Sequence, residues 1–254
     1  NNWGFVFGKG DLNASSSQPE AMDVLQFQAW VGNWAPVRAI EPQNDTLLFA
    51  APMLEPVGQF EEYGGKRYVV ENVREALVGG GGEFYSDDAQ KRVIWAVEED
   101  SKGVVPVLDT VVGFRGVQGL SMQGLSVAHA SDGGDLRYSA YFSPTSAISI
   151  QNSSFVSLSG VTVRNVGGSG IAVLSNTHHL NITHCLVLDT GGDGIQAAAP
   201  DATHLLISDT IVNDTAKIFL NQPAGIRVKG AEDIRIQHNQ VAFSPYGGIL
   251  VGWQ

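Results

Sequence analysis

Three scarcities bound what this chain can be. It carries one cysteine, Cys185, so no internal disulfide can form and no zinc cage of several cysteines is available. Only 16% of its 254 residues are charged, and 15 Lys and Arg face 26 Asp and Glu, a net charge of −11. That balance argues against nucleic acid or an anionic membrane as partner, because both interactions begin with basic side chains neutralising phosphates. Cation binding is the compatible alternative. No apolar run approaches the ~18 residues of a spanning helix, and no Gly-rich phosphate loop, zinc-ligand spacing or Gly-x-Ser-x-Gly elbow occurs.

What the chain has in quantity is glycine, 30 residues, and repetition. A Gly-Ile start recurs at Gly170-Ile171, Gly194-Ile195, Gly225-Ile226 and Gly248-Ile249, at intervals of 24, 31 and 23 residues. Between these starts runs an Ile/Leu-x-x-x-x-Val pattern: Leu158 to Val163, Ile182 to Val187, Ile207 to Val212 and Ile236 to Val241, with Met122 to Val127 as a more distant copy. Repeats of this length indicate a solenoid, because one unit buries its apolar face only against a stacked neighbour. Helical solenoids need long runs of 3.6 periodicity, whereas these segments are short, alternate with period two and favour Val, Ile and Thr. An antiparallel sandwich with similarly spaced turns is the competing reading. Two or three short strands per turn with Gly-rich corners at Gly167-Gly168 and Gly191-Gly192 favour a parallel β-helix. Stacking the copies aligns Leu125, Val161, Cys185, Thr210 and Asn239 in one column, which makes Cys185 a buried structural thiol.

The expected fold is therefore all-β: a right-handed parallel β-helix over 104–254, preceded over 1–103 by an irregular β-rich region. That region reads as short strands at 3–7, 25–30, 37–40 and 47–49, a loop at 12–22, a short helix at 71–77 stopped by the glycines at 79–82, and a hairpin flanking a polar turn after residue 87. The chain opens at Asn1-Asn2-Trp3 and ends just after a new rung begins, which predicts a coil cut short at its C-terminal end.

Tyr68-Val69-Val70-Glu71-Asn72-Val73-Arg74-Glu75-Ala76-Leu77, then Gly82-Glu83-Phe84-Tyr85-Ser86-Asp87 and Val93-Ile94-Trp95, resembles a signature that precedes the coil in a group of right-handed parallel β-helix proteins. The group includes glycoside hydrolases acting on plant polysaccharides, and the resemblance runs on through Gly124-Leu125 and Gly170-Ile171 to Gly248-Ile249. Gly-Gly stands here for Pro-Gly, and Phe84 for Trp. The Asp-rich rungs on which the related hydrolases place catalysis would follow Gln254. The resemblance implies the handedness of the coil and a glycan as partner.

Chemistry read from the residues themselves centres on one column. Two positions beyond each repeat Val lie His129, Asn165, Asp189, Asp214 and Phe243. Neighbouring rungs stack about 4.8 Å apart, so Asp189 and Asp214 suit the paired carboxylates of a retaining glycosidase. They equally suit a Ca²⁺ site with hard oxygen ligands, or plain corner residues bonding turn amides. Asp193 is a third catalytic candidate, and Asn165, Gln196, Arg227 and Lys229 are candidate substrate-binding residues. The loop 217–223 is placed to overhang this column. A second column of Gly124, Gly160, His184, Asp209 and His238 faces outward as a polar stripe or a transition-metal site, and His178-His179 falls in a turn. No further metal or cofactor is expected.

Five Asn-x-Ser/Thr triplets, at Asn13, Asn44, Asn152, Asn181 and Asn213, predict a secreted, extracellular glycoprotein. Two functions are compatible with these features. One is a carbohydrate-active protein, polysaccharide-binding or glycoside-hydrolase-like, aided by stacking on Trp30, Trp34 and Trp253. The other is a glycosylated structural subunit of a fibre, wall or surface appendage, self-assembling through the unpaired edge at the coil's end.

Overall fold

The structure is a computed structural model that describes residues 2–12, 16–27, 32–53, 56–58, 67–78, 82–96, 102–134, 143, 145–220 and 222–252. The chain divides into two compact units, Asn1–Gly103 and Val104–Gln254.

In the first unit, β1 (Gly4–Val6), β2 (Asp23–Phe27), β3 (Gly32–Glu41), β4 (Thr46–Phe49) and β5 (Tyr68–Glu71) form an antiparallel sheet in the order β1-β4-β3-β2-β5. Alternation along β2 and β4 sends Val24, Leu47 and Phe49 into a core with Phe7 and Met22. β6 (Phe84–Asp87) and β7 (Arg92–Trp95) pair as the expected hairpin. The helix expected over 71–77 does not form. The first of those residues belongs to β5, and Asn72 turns left-handed (φ 55°) with its side chain bonded to the Ala21 carbonyl and to both backbone groups of Ser86. Only a single 3₁₀ turn, Arg74–Ala76, fits in what remains.

The second unit is a parallel β-solenoid of three sheets. The first stacks β8 (Val112–Arg115), β11 (Ser146–Gln151), β14 (Ser169–Val173), β17 (Ile195–Ala197), β20 (Ala224–Val228) and β23 (Gly247–Val251). The second stacks β9 (Ser121–Gln123), β12 (Ser153–Ser159), β15 (Thr177–Thr183), β18 (Thr203–Ser208) and β21 (Glu232–Gln237). The third stacks β10 (Ser126–Ala128), β13 (Thr162–Val166), β16 (Leu186–Thr190), β19 (Ile211–Asn213) and β22 (Gln240–Ala242). Every pairing within these sheets is parallel and in the register of the sequence repeat; Ile148, Ile171, Ile195 and Ile226 lie side by side and have no exposed surface. His178 and His179 are in β15, not in a turn.

The repeat glycine has a steric origin. A Cβ on Gly194 would lie 2.3 Å from Val212 Cγ1 and 2.5 Å from the Gly225 carbonyl oxygen, and one on Gly225 would meet Val241 Cγ1 at 2.2 Å. The first sheet thus packs its backbone directly under the valines of the next rung's third strand, and any side chain would force the rungs apart. Cys185 is buried in the column shared with Val161 and Thr210, its thiol 3.3 Å from the Thr183 carbonyl, and desolvation pushes its pKa above the ordinary thiol range. The column is not buried throughout, since Leu125 is exposed and Asn239 half-buried. Asn239 instead accepts from the Thr210 amide through its side chain. No described helix is long and apolar enough to cross a membrane.

Candidate functional site

The third sheet leaves each rung through a residue in the left-handed region: His129 (φ 59°), Asn165 (52°), Asp189 (55°), Asp214 (54°) and Phe243 (49°). Asn and Asp tolerate this conformation best among residues with a side chain, which explains their recurrence here. The bend leaves the side chains outside, where they bond one another rather than the turn amides. Asn165 Nδ2 and Lys217 Nζ each donate to a different oxygen of Asp189, while Asp214 accepts from Asn213 Nδ2 at 3.0 Å. Asp189 and Asp214 lie on adjacent rungs, their residues following the paired Leu188 and Asn213.

Lys217 comes from the long rung. Its amide bonds the Thr190 carbonyl, and the next two amides bond the Gly191 carbonyl, so the loop folds back over the corner with Phe219 buried beneath it. The hydrogen bond to Asp189, with the charges of Asp189 and Asp214, raises the Lys217 pKa and holds the ammonium. This places a cation on the acidic column. Among the described residues no group of three or more His, Cys, Asp or Glu is arranged to hold a metal ion.

The other candidates separate from this column. Asp193 has no exposed surface; it accepts from Arg227 Nε at 2.9 Å, from the Ala224 amide at 2.8 Å and from Arg227 Nη2 at 2.5 Å. Arg227 also donates to Gln196 Oε1 at 2.7 Å. Gln196 and Arg227 are neighbours in register on the side of the first sheet that faces away from the coil's core, yet both are buried. Burial pushes the Asp193 carboxyl pKa upward against the opposing pull of Arg227. These three residues form a closed ion-pair cluster that a substrate does not reach in this conformation. Lys229 is half-buried just beyond the end of β20.

In the outward column of the turn between the second and third sheets, His184, Asp209 and His238 are exposed and left-handed, with His238 Nδ1 3.6 Å from Asp209 Oδ1. Of the aromatics proposed to stack on sugars, Trp34 is half-buried in β3, while Trp30 and Trp253 lie outside the described residues. Of the sequons, Asn44, Asn152 and Asn181 are exposed, Asn213 is half-buried and Asn13 lies outside the described residues.

Sequence reasoning missed a further constellation, because its members follow no apolar period. At the entry to the second sheet each rung kinks through a left-handed residue: Phe155 (φ 54°), His179 (55°), His204 (56°) and Asp233 (51°). Their side chains line a groove of about 550 Å³ together with Asn181, Arg235 and Gln237.

The family model for the right handed beta helix region matches residues 114–254. Curated proteins give no match. Among solved structures, one named "Glycoside hydrolase" superposes with a TM-score of 0.73 at 17% identity, covering 98% of this chain and 52% of its own. The chain thus spans about half the length of that protein, and at this identity the likeness speaks for a shared fold. With more than half of its residues inside the family model, the chain belongs to the right-handed β-helix family.

Proposed function

We propose that the protein is a secreted carbohydrate-active β-helix that hydrolyses a polysaccharide at the corner formed by Asn165, Asp189, Asp214 and Lys217. One observation carries this reading: two partly accessible carboxylates, on adjacent rungs that stack about 4.8 Å apart, are overhung by a loop that delivers a lysine. Carboxyl groups at roughly 5 Å separation suit retaining hydrolysis, in which one attacks and the other shuttles a proton. Asp189, both oxygens engaged by Asn165 and Lys217, is oriented as the nucleophile. Asp214 gives its proton to the glycosidic oxygen as that bond breaks, then takes one from the water that displaces Asp189. The likeness to a structure named as a glycoside hydrolase supports the assignment. Exposure of Asn44 and Asn152 suits glycosylation in a secretory pathway. NMR of the first product formed from a β-glucan or xylan tests the reading: a sugar released with its anomeric configuration retained is expected, and inversion would refute the assigned roles.

A second reading, a self-associating glycosylated structural subunit, is favoured by the exposure of the sequon residues Asn44 and Asn152. Native mass spectrometry of the glycosylated protein decides it, dimers or longer arrays supporting it and a monomer at all concentrations removing it.

A further inference from the structure

The groove on the second sheet is built differently from the acidic corner and belongs to another face of the coil. Its wall is a ladder of side chains at equivalent positions of successive rungs. The rings of Phe155 and His179 stack with centroids 4.6 Å apart and planes 9° from parallel, and His179 and His204 follow at 4.4 Å. His204 Nε2 then lies 3.5 Å from Asp233 Oδ2. Each of these residues holds a left-handed backbone, a conformation that persists where the surroundings impose it.

The ladder ends on an open aromatic face. Gln118 bridges Ser154, so the position preceding Phe155 in the stack is Gly119, also left-handed (φ 70°), where an added Cβ would meet nothing within 4 Å. One face of Phe155 therefore rests on His179 while the other looks over a glycine into solvent, and the residue is 54% exposed. Beside the ladder runs a second column in strict register, Ser157, Asn181, Leu206 and Arg235, with Gln237 following two residues on. The ring nitrogens of His179 and the guanidinium of Arg235 have no hydrogen-bond partner among the described residues. These are unengaged polar groups beside an unengaged aromatic face.

We propose that this groove is a binding site for a neutral oligosaccharide lying along the coil axis, one sugar per rung, with its first ring stacked on Phe155 and its hydroxyls bonded by His179, Asn181, Asp233 and Arg235. A pyranose presents an apolar C–H face and an equatorial rim of hydroxyls. The negative face of an aromatic ring suits the first, and amide, carboxylate and guanidinium groups suit the second. The rung spacing of about 4.8 Å is close to the length of one pyranose along an extended chain. The acidic Asp233 on the groove wall, in a protein of net charge −11, selects against polyanions. The site does not depend on the proposed hydrolysis, since none of its residues belongs to the Asp189 corner.

The test uses the full chain made without glycosylation, titrated calorimetrically with cellohexaose, xylohexaose and mannohexaose, and with hexagalacturonate as the charged comparison. Phe155→Asn removes the ring yet keeps a residue at ease in the left-handed region; Arg235→Ala removes the guanidinium. The proposal expects at least one neutral hexasaccharide to bind the Asp189→Asn protein, which cannot hydrolyse it, with saturable stoichiometry, and at least tenfold more weakly once either groove substitution is added. It is overturned if no neutral sugar binds, if only hexagalacturonate binds, or if binding survives both variants. A glycan found by mass spectrometry on Asn181 of the native protein also overturns it, because that glycan would occupy the groove.

Discussion

Replacing Arg227 by Met tests the energetics of the first sheet. In the folded protein the Asp193 carboxylate has no exposed surface and depends on Arg227 for two of its hydrogen bonds. Methionine fills much of the same volume but leaves the carboxylate with backbone amides alone, those of Ala224 and of Asp193 itself. Removing one member of a buried ion pair costs about 3–5 kcal/mol, because the remaining charge is uncompensated. At roughly 2–4 °C per kcal/mol for a unit of this size, the midpoint of thermal unfolding should fall by about 6–20 °C. The deficit should also depend on pH. Burial already raises the Asp193 pKa, and loss of Arg227 removes the main force opposing that shift. A carboxyl with a raised folded-state pKa adds stability below its unfolded value and loses it as pH rises through the folded value. The variant should therefore be weakest at mildly alkaline pH and recover as the pH falls toward the unfolded carboxylate range. The double variant Asp193→Asn with Arg227→Met should lose less than the single one. Circular-dichroism melts at several pH values provide the readout. A cost below about 1 kcal/mol, or a loss independent of pH, would falsify the buried-pair account.

Further predictions concern other parts of the coil. Gly194→Ala should lower stability by about 1–3 kcal/mol or more through overpacking, because its Cβ would collide with Val212 and the Gly225 carbonyl; urea titration would show an unshifted midpoint if the close contact were not real. Cys185, buried and with its thiol pKa raised, should resist thiol reagents in the folded protein and react fully on unfolding; rapid labelling of native protein would contradict its placement. Glu75, whose pKa is lowered to about 2 first by the Ser17 amide and then by the Ser16 and Ser17 hydroxyls, should contribute above its unfolded value and lose that contribution as pH falls toward 2. A carboxyl NMR titration midpoint near 4 would show those bonds to be absent.

The coil was legible because its signal is steric and repeats. Glycine under the valines, and Ile in register with Ile, follow from backbone packing that every rung must solve again, so Gly170, Gly194 and Gly225 announce it. The Asp189 corner was legible for a related reason, since a left-handed exit selects Asn or Asp and the selection shows as a column. The partners of those carboxylates were not legible. Asp193 looked like part of the same acidic patch, yet its neighbour Arg227 lies 34 residues away and closes it off. Lys217 was foreseen only as part of an overhanging loop, because a single lysine carries no period. The Phe155–His179–His204 ladder escaped for the same reason: its residue types differ from rung to rung, and only the shared backbone kink unites them. Over 71–77 local composition favoured a helix, but pairing of β5 with β2 and the side-chain bonds of Asn72 overrode it.

The most direct test of the account is the rate of reducing-end release from β-glucan and xylan by the full chain and by its Asp189→Asn and Asp214→Asn variants. Loss of one essential carboxyl should lower turnover by about 10²–10⁴-fold while leaving the melting temperature within a few degrees, because both side chains lie outside the packed core. Hydrolysis that persists undiminished in both variants, or its complete absence from the wild-type chain, would contradict the claim that the acidic corner acts on a glycan.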